Sequence, residues 1–105
     1  MANLETLVRS IRNEKTCNLH FKTHRRDAWK EAFYRHYGER VKQRTIQDAL
    51  QLCIRDSEDP EKKYLTVNLY RTGTVMVQGS HTVLTTFENE TFHLLREMVN
   101  MEEQL

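Results

Sequence analysis

Three potential metal ligands fall within the eight residues "CNLHFKTH": Cys17, His20 and His24, spaced Cys-x2-His-x3-His. Thiolate and imidazole are the ordinary zinc ligands, and short spacings let one segment supply several of them, with Cys53 or His36 as a fourth. The same segment alternates, however. Cys17, Leu19 and Phe21 point one way and Asn18, His20 and Lys22 the other, the pattern of a half-buried strand. Cys17 and His20 then lie on opposite faces, which opposes a Cys–His nucleophile pair, and a strand is not the well-defined turn on which structural zinc normally takes its ligand pairs. Histidines at a surface or an interface account for the same residues, and spacing alone leaves zinc open. The chain has no Gly-rich phosphate loop, no Ser-elbow motif and no acidic cluster with metal spacing. No catalytic activity and no cofactor are expected.

A second constellation lies in "YLTVNLYRTGTVMVQG", residues 64–79. Leu65, Val67, Leu69, Val75 and Val77 form the inward set of two alternating strands. Tyr64, Thr66, Asn68, Tyr70, Thr74, Met76 and Gln78 form the outward set. "RTG" between them is a short hairpin loop in which Gly73 can take a positive φ. If helices cover only the Leu and Val side, the other face is open. Aromatic rings stack on bases, amides reach base edges or sugars, and the nearby cations Lys22, Arg25, Arg26 and Arg71 suit phosphates. An ordinary wet sheet face has the same composition, since Tyr and Thr are good strand formers.

Charge is unevenly spread although the net value is only +1. Nine Lys or Arg stand against three acids between Lys15 and Arg44, whereas acids predominate in 48–61 and 88–103. A basic surface able to meet phosphate or an acidic partner follows, unless these charges cancel across solvated helix faces. Apolar residues make up 38% and charged residues 30%, which predicts a modest core under a charged surface. No apolar run approaches the roughly 20 residues that span a bilayer, and no signal-peptide pattern opens the chain. Cys17 and Cys53 both sit in apolar patterns and read as buried small hydrophobes. A nuclear or cytoplasmic location with free thiols is expected.

These residues must be positioned by a few elements. Asn3 is placed to cap a first helix whose face carries Leu4, Leu7, Val8 and Ile11. "RDAWKEAFYRHYG" predicts a second helix, with Ala28, Trp29, Ala32, Phe33 and His36 or Tyr37 as its stripe and Gly38 as its stop. Ile46, Ala49, Leu50, Cys53 and Ile54 recur at i, i+3, i+4, i+7 and i+8. They predict a third helix starting at Thr45, with Asp48 in the capping-box place. "DSEDPEKK" is a solvated loop. After the hairpin, Leu84, Phe87, Thr91, Leu94, Met98, Met101 and Leu105 predict a long closing helix over 82–103. The chain is thus read as one α+β domain, 1–105. Its small antiparallel sheet, a β-hairpin plus one further strand, is covered on one face by helices in the order α-β-α-α-β-β-α.

The hairpin followed by a helix resembles TBP-like domains, in particular the N-terminal substrate-binding domain of type-three bacterial ribonuclease H. The residues that carry the resemblance are Tyr70, Gly73, Val75, Gln78 and Gly79. It implies a curved sheet with helices on its convex side and an open side that holds an RNA/DNA hybrid or another nucleic acid. A non-catalytic nucleic-acid-binding domain is therefore expected, with Tyr64, Asn68, Tyr70 and Gln78 on bases or sugars and Lys22, Arg25, Arg26 and Arg71 on phosphates. The alternative is a protein-interaction or homodimerisation module, in which Leu94, Met98, Met101 and Leu105 continue past the core into a partner.

Overall fold

The structure, a computed structural model, describes residues 4–11 and 17–103. Asn3 and Leu105 therefore lie outside the described residues. Six strands form one antiparallel sheet: β1 (Val8–Ile11), β2 (Cys17–Lys22), β3 (Val41–Ile46), β4 (Ala49–Arg55), β5 (Lys63–Tyr70) and β6 (Thr74–Gly79). The spatial order is β1-β2-β6-β5-β4-β3. Helix α1 (Arg26–Tyr37) connects β2 to β3 at the far side of the sheet. The chain then meanders back strand by strand to β6, which pairs with β2. Helix α2 (His81–Thr86), a π-helical turn (Phe87–Thr91) and helix α3 (Phe92–Glu103) close the chain.

This is α+β, but the order is β-β-α-β-β-β-β-α, and the sheet holds twice the three strands expected. Two predicted helices are strands. Residues 46–54 satisfy a helical period and a strand period at once, because Leu50, Leu52 and Ile54 alternate with Gln51, Cys53 and Arg55. Two local features favour the strand. Gln47–Asp48 forms a two-residue connection closed by the Ile46–Ala49 pair, and Asp48 adopts φ 60°, a left-handed conformation that Asp tolerates better than most residues. The resulting hairpin buries Leu52 and Ile54 completely against neighbours already in the sheet. Asp48 is thus a turn residue and not a cap. At the N-terminus Val8–Ile11 pairs with β2 rather than forming a helix face. Leu7 packs against the core, while Val8 is 47% exposed.

The expected α1 and hairpin are found. Trp29, Ala32, Phe33 and Tyr37 are buried, whereas His36 is exposed, so Tyr37 takes the last place in the stripe. Gly38 caps the helix at φ 61°. Ser80 starts α2 by accepting a bond from the Val83 amide. Helix residues Trp29, Phe33, Phe87, Phe92, Leu95 and Val99 form one hydrophobic cluster with the inward strand set. Trp29 lies at its centre, with Phe21 at 4.5 Å and Phe92 stacked at 5.4 Å between ring centroids.

The π-turn explains where the closing helix departs from its predicted stripe. One extra residue in a turn rotates everything after it by about 100°. Up to that point Leu84, Phe87 and Thr91 face inward as expected. Beyond it Phe92, Leu95 and Val99 take the buried places, leaving Leu94 41% and Met101 67% exposed and Met98 half-buried.

Gly73 carries the hairpin turn at φ 98°, and its carbonyl accepts from the Thr23 amide at 2.8 Å. A Cβ there would stand 2.8 Å from the Thr23 carbonyl oxygen, and that oxygen belongs to backbone. Gly73→Ala therefore combines a left-handed penalty with a clash, and is expected to cost about 2–3 kcal/mol. Urea denaturation followed by circular dichroism checks this; a loss below about 0.5 kcal/mol would show that the turn relaxes freely.

Candidate functional site

Strand register defines what lies on the sheet face opposite the hydrophobic cluster. One row across the six strands runs Ser10, Asn18, Gln78, Thr66, Cys53 and Lys42. The next runs Val8, His20, Met76, Asn68, Gln51 and Arg44. A third, shorter set brings Lys22 beside Thr74 and Tyr70 beside Ala49 and Ile46. Among the described residues no Asp or Glu occupies any of these positions. This polar face is built and partly closed, with Asn68 only 6% exposed: Gln51 donates to Asn68 Oδ1 at 2.9 Å, and Arg44 Nε donates to Gln51 Oε1 at 2.7 Å. Arg44, Gln51 and Asn68 thus form a chain of bonds across three strands. Asn18, only 6% exposed, keeps a buried Oδ1 with no hydrogen-bond partner among the described residues.

The cations gather at one corner. Lys42, Arg44, Arg55 and Lys63, with Gln43 and Cys53, line a shallow cavity of about 290 Å³. Arg55 and Lys63 are direct cross-strand partners. Like charges so placed are destabilising. Among the described residues none of the four cations forms an ion pair within 4.0 Å. Glu39 and Asp56 line an adjoining cleft that Lys42 and Arg55 also border.

Sequence reasoning missed this corner because it treated 45–54 as a helix, which removed β3 and β4 from the sheet. The signal that marks it is the alternation Lys42, Arg44 in "VKQRTI", read as a strand. Cys53, expected in the core, is half-buried on this polar face.

The predicted site residues divide. Asn68, Gln78, Lys22 and Tyr70 are on the polar face, Lys22 exposed and Gln78 and Tyr70 half-buried, but Asn68 is only 6% exposed and is corrected from a base contact to a partner of Gln51. Arg71, in the hairpin turn, is exposed and borders a cleft at the sheet end with Arg26 and Asp48. Tyr64 is a correction. Pairing steps from Ile54–Leu65 to Arg55–Lys63, so Tyr64 is the extra residue of a bulge and its alternation is broken. Its ring sits 6.4 Å from that of Tyr37 and 5.0 Å beneath the Arg40 guanidinium, against the helical side. It joins the margin of the core and is withdrawn from base stacking.

Arg25 is also corrected, from phosphate ligand to structural ion pair. Its Nε donates to Glu5 at 2.9 Å, a terminal nitrogen pairs with the same carboxylate, and that nitrogen donates to Asn100 at 2.9 Å. Glu5 accepts further bonds from Thr23 Oγ1 at 2.7 Å and Trp29 Nε1 at 3.0 Å. Burial opposes ionisation of this carboxyl, but the bonds from Arg25, Trp29 and Thr23 outweigh it and hold its pKa at about 2. The folded value lies below the unfolded one, so the stabilisation is complete above about pH 4.5 and is lost as pH falls toward 2. Glu5→Gln should lower stability at pH 7 by about 2 kcal/mol, allowing for solvent screening, and flatten the decline between pH 4.5 and 2. Urea midpoints across that range test it; parallel curves for the two proteins would contradict it.

Zinc finds no support in the placement of its candidates. His20 lies over the polar face with Nδ1 at 3.4 Å from Ser10 Oγ, and His24 is exposed after the end of β2. The side chain of Cys17 is outside the described set. Among the described residues no three His, Cys, Asp or Glu are grouped to hold a metal, and no helix is long and apolar enough to cross a membrane. Comparisons with protein-family models, curated proteins and solved structures gave no match.

Proposed function

We propose that the polar face binds nucleic acid and that the chain does so without catalysis or a cofactor, in the nucleus or cytoplasm. The observation that carries this reading is a carboxylate-free sheet face bordered by four cations that have no ion-pair partners among the described residues. Concentrating Lys42, Arg44, Arg55 and Lys63 costs stability through repulsion, a cost that phosphate groups offset. Gln51 and Gln78, both half-buried, supply donors and acceptors for bases or sugars, with the buried Asn68 holding Gln51 in place. The resemblance of the hairpin to TBP-like domains, on Tyr70, Gly73, Val75, Gln78 and Gly79, supports the same reading: its open-sided sheet is the surface it assigns to nucleic acid. Relative to the sequence reading, the phosphate contacts move from Arg25 and Arg26 to the β3–β4 corner, with Lys22 and Arg71 as outlying cations.

One observation favours a second reading. Leu94 and Met101 are exposed on α3, and Arg35, Met98, Met101 and Glu102 line a cavity of about 240 Å³. A partner helix or a second copy could seat there. Fluorescence anisotropy with labelled oligonucleotides at two salt concentrations, beside a light-scattering mass, separates the two. Binding that weakens steeply with salt to a monomeric protein supports the polar face. No binding to any probe together with a dimer mass favours α3.

A further inference from the structure

Resting on that reading, we infer that the ligand is a single strand of RNA or DNA, its sugar–phosphate backbone following the β3–β4 edge and its bases turned inward over Gln51. Cation placement is one-sided. Lys42 and Arg44 are two residues apart on β3, about 6.6 Å along the strand, so they can serve successive phosphates of one extended backbone. Arg55 and Lys63 lie at the same end, across Cys53. About five strand spacings away, roughly 24 Å, the opposite edge offers Val8, Ser10, Asn18 and His20 in those rows. Lys22 is the one Lys or Arg on that side of the face among the described residues. A double helix lying on the sheet would bring a second backbone over β1 and β2, where no matching row of cations receives it.

Reach argues the same way. The Gln51 and Gln78 side chains are short and half-buried in a continuous sheet surface, so they meet bases that are splayed onto it and not base pairs at the bottom of a groove; Asn68, only 6% exposed, serves to hold Gln51. Unpaired bases expose their hydrogen-bonding edges to such groups, whereas a duplex does not. Gln51 is already oriented for this by Arg44 and Asn68. Arg44 uses only Nε in that bond, and its terminal nitrogens have no partner among the described residues, leaving them for phosphate. Aromatic side chains contribute little. Trp29, Phe21, Phe33, Phe87 and Phe92 are in the core and Tyr64 is turned away, so Tyr70 alone of the described aromatics stands on the face. Phosphate contacts therefore dominate affinity, and the amides supply discrimination between bases.

Four phosphate contacts to a single strand predict a slope near −2.8 in log K against log salt, a loss of roughly 50-fold between 50 and 200 mM. The test measures anisotropy with labelled 12-nucleotide single-stranded RNA and DNA, the corresponding DNA duplex and hybrid, and inorganic polyphosphate. Single strands should exceed duplex and hybrid by at least about tenfold, with a slope near −3, and RNA exceeding DNA or the reverse identifies the source. Gln51→Ala should reduce the difference between base compositions while leaving the slope unchanged, and Lys42→Ala should reduce the slope by about 0.7. Because Cys53 sits inside the cationic cavity, bound single strand should also slow its alkylation, read residue by residue by mass spectrometry. Duplex or hybrid binding as tightly as single strands would overturn this inference while the nucleic-acid reading stood. Polyphosphate matching the single strands would overturn the role of the bases. Failure of every probe would remove the nucleic-acid reading itself.

Discussion

Lys42→Glu combined with Arg44→Glu is expected to abolish oligonucleotide binding at ~100 mM salt, a loss of roughly 100-fold or more, while the chain stays folded. Both side chains are exposed, and neither packs in the core. The substitutions remove two of the four cations at the corner and place two carboxylates beside Arg55 and Lys63. Phosphate attraction there should disappear, and cross-strand repulsion should be relieved. Binding should fall and stability should be unchanged or slightly higher. Anisotropy and urea denaturation on the same preparation read both quantities. A double variant that binds as well as the parent would place the phosphates elsewhere, with Lys22, Arg26 and Arg71 as the remaining exposed or half-buried candidates.

The second large effect concerns folding. Trp29 has no exposed surface, touches Phe21 and Phe92, and donates through Nε1 to Glu5. Trp29→Ala opens a large cavity, for which about 3–5 kcal/mol is usual. It also takes one of the hydrogen bonds from the half-buried Glu5 carboxylate, adding about 1 kcal/mol or more. Small domains are stable by only about 5–15 kcal/mol, so this variant should be largely unfolded at modest urea concentrations. Trp29→Phe keeps most of the ring volume and loses the Glu5 bond, and should fall between the two. Circular dichroism is the appropriate probe, since Trp29 is the sole tryptophan. A Trp29→Ala midpoint matching the parent would show that the cluster is not centred there.

How the chain could be read in advance depended on whether one period or two fitted each segment. In "YLTVNLY" and "TVMVQG" only a two-residue period works, and the β5–β6 hairpin, its loop and Gly73 are all legible. In "RDAWKEAFYRHYG" only the helical period works, and α1 ends where Gly38 says it should. "TIQDALQLCIR" fits both periods, and long-range pairing to β5 decided between them. No local signal carries that information, because the stabilising neighbours of Leu50, Leu52 and Ile54 are distant in the chain. Missing β3 and β4 hid the cationic corner, although Lys42 and Arg44 fell within the basic segment recognised from charge alone. Tyr64 escaped for a smaller reason: a bulge shifts alternation by one residue, and nothing in "KKYLTV" marks it. The closing helix was legible in extent, but its π-turn moved the buried stripe from Leu94 and Met98 to Leu95 and Val99.

The most direct measurement is a backbone amide NMR titration of the folded chain with a 12-nucleotide single strand. The account predicts shift changes concentrated on β3 and β4 and on Asn68 and Gln78, with α1 and α3 largely unmoved. Changes centred on Leu94, Met98 and Met101, with the polar face silent, would contradict it.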